Sequence, residues 1–341
     1  MDRYDITIIG GGPTGLFAAF YAGLRGMKTK IIDALPQLGG QLIALYPEKY
    51  IYDVAGFPKV LAKDLAQNLI DQALQYNPTV HLGAKITDMR ILKNQLEDEG
   101  KPSQYFELDT EDGSTHQSYS ILLTIGIGAF APRKLKLEDA ERFEGKGVEY
   151  FVKDKTKFGN KRLLIVGGGD SAVDWGLHLH DVAQSITLIH RRDRFRAHED
   201  SVKKLFDSPV DIKIPYEVKA IEGNDHVEKV AIFNNQSKDR EEIPVDYILL
   251  NLGFIANIGK IKEWGLNIVK GDIEVTSKME TNVTGIYAAG DIVTYPGKLK
   301  LIATGFGEAA TAVNNAKTHI DPSAKAFPGH SSDMEAPPGS K

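Results

Sequence analysis

Two glycine-rich turns have the residue types and spacing of dinucleotide-binding sites. The first, Gly10-Gly11-Gly12-Pro13-Thr14-Gly15, follows a β-branched apolar run and opens a segment with a helical pattern. Gly10 permits a tight turn, Gly12 lets the backbone approach a pyrophosphate, and Gly15 permits close packing of the helix. The helix N-terminus adds N–H donors and the positive end of its dipole. We therefore expect this turn to bind a phosphate group.

An acid at the end of the next strand completes the first motif. Asp33 ends the run Thr29-Lys30-Ile31-Ile32-Asp33, where a carboxylate can accept hydrogen bonds from a ribose diol. A glycine-rich turn with no ligand is the alternative interpretation. Strand, helix and acid in the correct order weigh against it.

The second turn, Gly167-Gly168-Gly169-Asp170-Ser171-Ala172, repeats the plan in its GxGxxA form. Here the place of the acid is taken by His190, followed by Arg191, Arg192 and Arg196. An acid would repel the 2′-phosphate of NADP, whereas guanidinium groups bind it bidentately. The cluster predicts a preference for NADPH over NADH. From charge alone, a solvated basic turn is the alternative.

Two different nucleotide sites in one chain indicate a flavoenzyme. NADPH delivers hydride, and a tightly held flavin can accept two electrons and release them singly. The first site is therefore predicted to bind FAD and the second NADP(H). The two cofactors supply the chemistry, so we expect no acid/base triad.

Composition excludes several other classes of protein. The 341 residues include no cysteine, which excludes disulfides, thiolate metal sites and iron–sulfur ligation. A net charge of −5 gives no general attraction to nucleic acid. No apolar run is long enough to cross a membrane and no signal peptide is recognisable, so a cytoplasmic location is expected. His178 and His180 are two residues apart on a predicted helix and are expected on the surface, and no metal site is predicted.

The strand–turn–helix–strand pattern occurs twice, over residues 4–40 and 161–191. The predicted fold is α/β, with two Rossmann-like nucleotide-binding domains of the three-layer ββα type. Apolar strands that end in glycine, at 121–128 and 246–253, are the expected crossings between domains. The FAD domain is then discontinuous, residues 1–128 and 253–341, with a C-terminal tail from about residue 317. Residues 129–252 form the inserted NADPH domain.

Further segments resemble the thioredoxin-reductase-like flavoproteins. They are the basic stretch from His190 to Ala197 and the sequence Gly285-Ile286-Tyr287-Ala288-Ala289-Gly290-Asp291. That family's Cys-x-x-Cys pair is missing, so this chain cannot reduce thioredoxin by dithiol exchange. The chain is similar instead to the thioredoxin-reductase-type ferredoxin–NADP⁺ reductases, through residues 37–42, residues 45–53 and a tail that carries His330 and Ser331.

This resemblance extends the predicted sites. Residues expected to contact FAD are Gly10, Gly12, Thr14, Gly15, Asp33, Gln41, Tyr46, Ile86, Phe130, Asp291 and Ser331. Residues expected to contact NADPH are Gly167, Gly169, Ser171, Ala172, Arg191, Arg192 and Arg196. The resemblance implies that Tyr46 stacks on one flavin face and His330 on the other, with Ser331 near N5. Without the resemblance, Tyr46 would be interpreted as an ordinary half-buried core residue. A helix over 303–315 would aim its N-terminus at the pyrimidine edge of the flavin.

The resemblance also implies the activity: hydride transfer between NADPH and FAD, coupled to single-electron exchange with ferredoxin or flavodoxin. It implies a homodimer in which the tail after Ala316 covers the flavin of the other subunit and acts as a gate for the nicotinamide. An unstructured tail is the alternative. A quinone or small-acceptor reductase and a nucleotide-sensing protein without turnover remain alternative functions. A flavin monooxygenase is disfavoured because its linker motif, Phe-x-Gly-x-x-x-His, is absent.

Overall fold

The computed structural model describes residues 2–94 and 100–330, and for residues 129–131 and 254–257 it describes the backbone alone. The chain divides into two compact units. One contains the residues up to Ala129 together with those from Ala256, and the other is Phe130–Ile255. The sequence predicted these junctions after residues 128 and 252.

The elements follow one another in three groups along the chain. Up to residue 129 they are β1 (Arg3–Ile9), α1 (Pro13–Leu24), β2 (Thr29–Asp33), α2 (Gln41–Ala44), β3 (Tyr50–Ile51), β4 (Val60–Leu61), α3 (Ala62–Leu74), β5 (Thr79–Leu82), β6 (Ile86–Lys93), β7 (Gln104–Thr110) and β8 (Thr115–Leu123). Next come β9 (Ala129–Pro132), α4 (Glu138–Arg142), β10 (Val148–Glu149), β11 (Arg162–Val166), α5 (Asp170–Leu179), β12 (Ser185–Ile189), α6 (Glu199–Phe206), β13 (Asp211–Lys213), β14 (Tyr216–Gly223), β15 (Val227–Asn234), β16 (Arg240–Pro244) and β17 (Tyr247–Leu250). The last group is β18 (Phe254–Asn257), β19 (Ile268–Val269), β20 (Asp272–Glu274), β21 (Ile286–Ala288), β22 (Val293–Thr294) and α7 (Ile302–Ile320).

The first unit is built on a sheet in the order β5-β2-β1-β8-β7-β6, to which β21 is added beside β8. Strand β8 changes neighbour along its length, since its first half pairs antiparallel with β7 and its last three residues pair parallel with β21. The parallel strand β2 is buried along its whole length and β1 along most of its length, as strands covered on both faces are. Helix α1 packs against α3 and α7. The predicted Rossmann-like arrangement is confirmed for this unit.

The second unit repeats this arrangement of a parallel sheet with helices. Its parallel sheet has the order β10-β17-β11-β12-β13, and a separate antiparallel sheet has the order β14-β15-β16. Helix α5 connects β11 to β12, which are neighbours in the parallel sheet. The second predicted Rossmann-like domain is therefore also present.

Two predicted helices have different ends in the structure. Helix α1 is predicted over residues 16–26 and runs from Pro13 to Leu24 in the structure, because proline suits the first turn of a helix, where its missing N–H is no loss. Helix α7 continues beyond the predicted end at residue 315, because Ala316 and Ile320 extend its buried face. The tail predicted from about residue 317 therefore begins within the last turn of α7, and its irregular part starts at Asp321, where the sequence becomes rich in Pro, Ser, Gly and Ala.

The two histidines expected on the surface are partly buried. His178 packs the edge of its ring against Trp175, with centroids 6.1 Å apart. His180 follows the last residue of α5, and its Nδ1 lies 2.9 Å from a carboxylate oxygen of Asp181. Both histidines therefore keep part of their surface exposed, and Trp175, one helical turn before His178, covers part of its ring. None of the helices in the described part of the chain is long and apolar enough to cross a membrane.

A buried basic cluster lies at the start of β8. His116 Nδ1 is 3.0 Å from Lys30 Nζ, and its ring lies edge-on to His81 at 4.8 Å. Burial lowers the pKa of His116 to about 4, with Lys30 and His81 acting in the same direction and the carboxylates of Asp112 and Asp109 opposing them. His116 is therefore neutral at pH 7 and can accept a hydrogen bond from the lysine.

Acidification is expected to destabilise the protein at His116. In the unfolded chain the ordinary pKa of about 6.5 applies, so between pH 6.5 and pH 4 the unfolded state binds a proton that the folded state does not. Stability is complete above pH 6.5 and falls as the pH drops, by roughly 3 kcal/mol in total at about 1.4 kcal/mol per pH unit. Urea unfolding at several pH values measures this loss. The His116→Gln variant keeps an acceptor but does not titrate, so it should lose less stability; equal losses would contradict the assignment.

Candidate nucleotide sites

The first glycine turn connects β1 to α1, and packing requires glycine at two of its positions. Gly10 has φ of +111°, and a Cβ there would lie 2.5 Å from the carbonyl oxygen of Thr124. A Cβ at Gly15 would lie 1.8 Å from the carbonyl oxygen of Gly10. These two glycines therefore let the helix start directly against the neighbouring strand.

Gly12 differs, because its own surroundings would accept a side chain. It is the N-cap of α1 with φ of −77°, and the nearest atom to a Cβ would be Gly40 Cα at 3.8 Å. No side chain caps this helix. The first-turn N–H groups therefore face a space that an anion can occupy. Gly40 approaches Gly12 closely and brings Gln41, the first residue of α2, to the same place.

Asp33 lies at the carboxyl end of β2, beside the turn. Its two carboxylate oxygens accept hydrogen bonds from the backbone N–H groups of Gly11 and Leu35, at 2.5 and 2.7 Å. Burial raises the pKa of Asp33, and the two backbone hydrogen bonds oppose that change. Ala84 donates to the carbonyl of Asp33, so Ile86, buried at the start of β6, lies on a segment held beside this acid. The structure therefore connects Asp33 and Ile86, both predicted to contact FAD, through one short segment that begins at Ala84.

Three elements from distant parts of the sequence meet at Thr14. Its Oγ1 lies only 2.9 Å from where a Cβ of Gly290 would be, and 2.4 Å from where a Cβ of Gly305 would be. The starts of α1 and α7 therefore lie close to the segment that follows β21. Asp291, the residue after Gly290, lies at this junction. Burial raises the pKa of Asp291, while nearby Lys298 acts to lower it.

Tyr46 lies after α2 and is half-buried. Burial raises its pKa to about 12, and the carboxylates of Asp291 and Asp53 act in the same direction. Its hydroxyl is therefore neutral and close to both acids. Asp53 lines an open cavity of about 630 Å³ formed by residues 52–58 and Ala303. The sequence pattern indicated no role for Asp53, because an acid in an aromatic loop has no distinctive spacing.

The second glycine turn connects β11 to α5. Gly169 is the N-cap of α5, and a Cβ there would meet no atom within 4 Å, so this helix start is also open. A Cβ at Gly168 would lie 2.3 Å from the ring of His190, which occupies the place that Asp33 has in the first unit. The backbone N–H of Arg196 donates to the carbonyl of Gly168 at 2.7 Å. The basic loop is therefore folded back onto the glycine turn.

The side chains of this loop are available to a ligand. Arg191, Arg192 and Arg196 are exposed, and none of them forms an ion pair with another described residue. Burial lowers the pKa of His190, and its Nε2 lies 3.1 Å from the carbonyl oxygen of Arg194. The neutral ring can therefore donate to that carbonyl and fix the loop, while the arginines supply the charge. Ser171 is exposed and Ala172 is buried in the first turn of α5.

Asn251 lies beside the second glycine turn, and the sequence pattern indicated no role for it. It follows β17, and its carbonyl oxygen would lie 2.5 Å from a Cβ at Gly167. Its side-chain Oδ1 is buried and has no hydrogen-bond partner among the described residues. Such an acceptor beside the second turn suits a donor on a bound ligand.

The tail leaves the first unit at the end of α1 that is remote from the glycine turn. Arg25, which caps the C-terminus of α1, donates to the carbonyl of Lys325 at 2.7 Å and to that of Ala326 at 3.4 Å. His330 is exposed and packs against Phe327, with ring centroids 5.5 Å apart. Ser331 lies outside the described residues, and the side chain of Phe130 is not described.

Comparison with known proteins agrees with this geometry. A family model for pyridine nucleotide-disulphide oxidoreductases matches residues 4–316. A ferredoxin–NADP reductase from Halalkalibacterium halodurans is 55% identical over 334 residues, 98% of each chain. A ferredoxin–NADP reductase 2 from Bacillus cytotoxicus is 54% identical over 331 residues, 97% of this chain and 98% of the relative. The thioredoxin reductase of Lactococcus lactis in its FR conformation is similar in structure, with a TM-score of 0.76 at 27% identity over 93% of this chain and 98% of that one.

These matches agree with the two glycine turns in their two Rossmann-like units. The match covers more than nine-tenths of the chain, including both turns and the Gly285–Asp291 segment. The name of the family refers to a disulfide, yet this sequence contains no cysteine, so its members' disulfide chemistry is not available to it. The chain belongs to the pyridine nucleotide-disulphide oxidoreductase family.

Proposed function

We propose that the protein is an FAD-dependent ferredoxin–NADP⁺ reductase, which exchanges electrons with ferredoxin or flavodoxin. The observation that carries the proposal is the pair of open helix N-termini at Gly12 and Gly169, one beside an acid and the other beside unpaired arginines. Relatives more than half identical over nearly the whole chain are named for this activity. Because the chain contains no cysteine, it has no disulfide of its own, and the electrons must pass to another acceptor.

The first unit fits FAD. The N-terminus of α1 offers N–H donors to the pyrophosphate, and Asp33 is placed to accept from a ribose diol. Asp291, held at the junction of β21 and α7, would accept hydrogen bonds from the ribityl chain. Tyr46 presents a neutral ring for stacking, and the N-terminus of α7 would face the pyrimidine edge.

The second unit fits NADPH. The N-terminus of α5 would receive the pyrophosphate, and Arg191, Arg192 and Arg196 would bind the 2′-phosphate. When bound, the flavin supplies the redox chemistry, accepting hydride from NADPH and releasing electrons one at a time. The protein contributes binding, orientation and electrostatics, and no acid/base triad is required.

Assays of the purified protein test this proposal. We expect a yellow protein with about one FAD per chain. NADPH oxidation should be faster with ferredoxin or flavodoxin, coupled to a one-electron reporter, than with quinones. Faster turnover with quinones would favour the small-acceptor reductase, and negligible turnover with both nucleotides bound would favour a sensor. A colourless protein that takes up no FAD would contradict all three interpretations.

The proposal includes a homodimer in which each tail covers the flavin of the other subunit. Two observations support exchange between subunits. Arg25 anchors residues 325–326 at the end of α1 opposite the glycine turn, and α1 is about 18 Å long at 1.5 Å per residue. Phe327, which is 65% exposed, and His330 form an aromatic pair that projects from this anchor.

Truncation before Phe327 tests the role of the tail. The shortened protein should keep FAD, since the glycine turn, Asp33 and Asp291 are unchanged. A tail that gates the nicotinamide would leave NADPH affinity nearly constant and alter the rate of hydride transfer. Stopped-flow reduction by NADPH measures that rate, and sedimentation measures the oligomeric state. A trace that superimposes on that of the full-length protein would exclude the gate.

A further inference from the structure

A buried ion pair joins α7 to the segment that carries Asp291. Glu308 lies in α7, and its Oε1 is 2.5 Å from Lys298 Nζ. The two side chains are only 5% and 4% exposed. Burying two charges is costly unless hydrogen bonds satisfy their remaining polar atoms. The other contacts of Glu308 are therefore informative.

Every group that contacts the Glu308 carboxylate is a donor. Besides Lys298, Oε1 accepts from the hydroxyl of Tyr295 at 2.6 Å, and Oε2 accepts from the backbone N–H of Gly290 at 2.8 Å. An ionised carboxylate can accept from all three donors. Lys298 is the cation placed to compensate its charge.

Gly290 is the residue whose position matters for the flavin site. It precedes Asp291 and lies against Thr14 at the start of α1. Its carbonyl, in the next peptide bond, accepts from the N–H of Val293, so the turn that carries Asp291 is held on both sides of Gly290. Glu308 holds the peptide between Ala289 and Gly290 from the second turn of α7, the helix whose N-terminus lies at the same junction.

We propose that Glu308 is a positioning residue of the FAD site and that Lys298 is its counter-ion. The carboxylate fixes the peptide between Ala289 and Gly290, which leads directly into Asp291, so that the Asp291 side chain faces the ribityl chain. Neither residue contacts the flavin. The inference rests on the proposed function only in taking FAD as the ligand of the first glycine turn.

Single substitutions should disrupt this arrangement. In Glu308→Gln the amide NH₂ group would face either Lys298 or the N–H of Gly290, so one of these buried donors loses its acceptor, and we expect FAD to bind about tenfold more weakly or worse. Lys298→Met leaves the carboxylate buried without its cation and should have a similar effect. The double variant K298M/E308Q should recover to within about threefold of wild type, because the amide oxygen accepts from Gly290 and the amide N–H donates to the hydroxyl of Tyr295.

A second double variant separates positioning from folding. K298M/E308L also lacks the ion pair, but it offers no acceptor to the N–H of Gly290. It should bind FAD at least about tenfold more weakly than K298M/E308Q and should change the visible circular dichroism of the bound flavin. Lys317→Met, which removes an ion pair with Asp321 at the other end of α7, is the matched control and should change neither.

Titration of the full-length apoprotein with FAD, followed by flavin fluorescence, gives the affinities. Equal affinity and equal dichroism for K298M/E308Q and K298M/E308L would overturn the proposal, since then the acceptor at residue 308 does not matter. Such a result would leave the proposed function intact. If the wild-type chain bound no FAD, the proposed function itself would be wrong, and this inference with it.

Discussion

Replacing Arg191 and Arg192 with alanine together should remove the preference for NADPH over NADH. Each charge-assisted hydrogen bond to a phosphate contributes roughly 1.5–3 kcal/mol, so the loss of two amounts to about 3–6 kcal/mol if they are independent. The ratio of kcat/KM for the two nucleotides should therefore fall by a factor on the order of 10² to 10⁴. The change should appear mainly in KM for NADPH, because neither arginine takes part in hydride transfer.

Arg194→Ala is the matched control for this double variant. It removes one positive charge from the same exposed loop, against two in the double variant, and the contact of His190 with residue 194 is to the backbone carbonyl, which remains. A small, general loss of attraction to NADPH is expected. Steady-state kinetics with NADPH and with NADH measure the ratio of kcat/KM for each variant. A ratio that is unchanged in the double variant, or that falls equally in the control, would rule out the assigned phosphate site.

The second large effect is expected at Gly12. A Cβ at this position meets nothing closer than 3.8 Å and φ is −77°, so alanine fits the protein without a ligand. The methyl group would, however, occupy the space into which a pyrophosphate must come. Overpacking of this kind costs about 1–3 kcal/mol, so FAD should bind roughly fivefold to 150-fold more weakly. The thermal stability of the apoprotein should be nearly unchanged.

Gly169→Ala makes the same change at the second turn. It should leave FAD bound and raise KM for NADPH, since α5 starts in the second unit. Gly15→Ala is the opposite case, because its Cβ would lie 1.8 Å from a backbone oxygen and should destabilise the fold itself. FAD content after purification, FAD titration and melting of the apoprotein distinguish these variants. Tight FAD binding by the Gly12→Ala protein would show that no phosphate approaches this turn.

The sequence alone determined the local parts of this protein. Strand β2 was predicted to the residue, and the glycine turns were placed correctly between strand and helix. These features depend on neighbouring residues, since an apolar run forms a buried strand and glycine permits positive φ at Gly10. The basic loop after β12 was also apparent, because its charges are consecutive. Residue spacing did not identify Tyr46 and Asp291 as site residues; the family resemblance did.

Only the tertiary structure decided how distant segments meet. Thr14 lies against Gly290 and Gly305, which are far away in the sequence. Glu308 and Arg25 are of unremarkable residue type, yet Glu308 binds the N–H of Gly290 and Arg25 anchors the tail. A glutamate in a helix normally lies in water, and nothing in its neighbours shows that this one is buried against a lysine and a backbone amide. Burial, and with it the requirement that every polar group find a partner, exists only once the chain has folded.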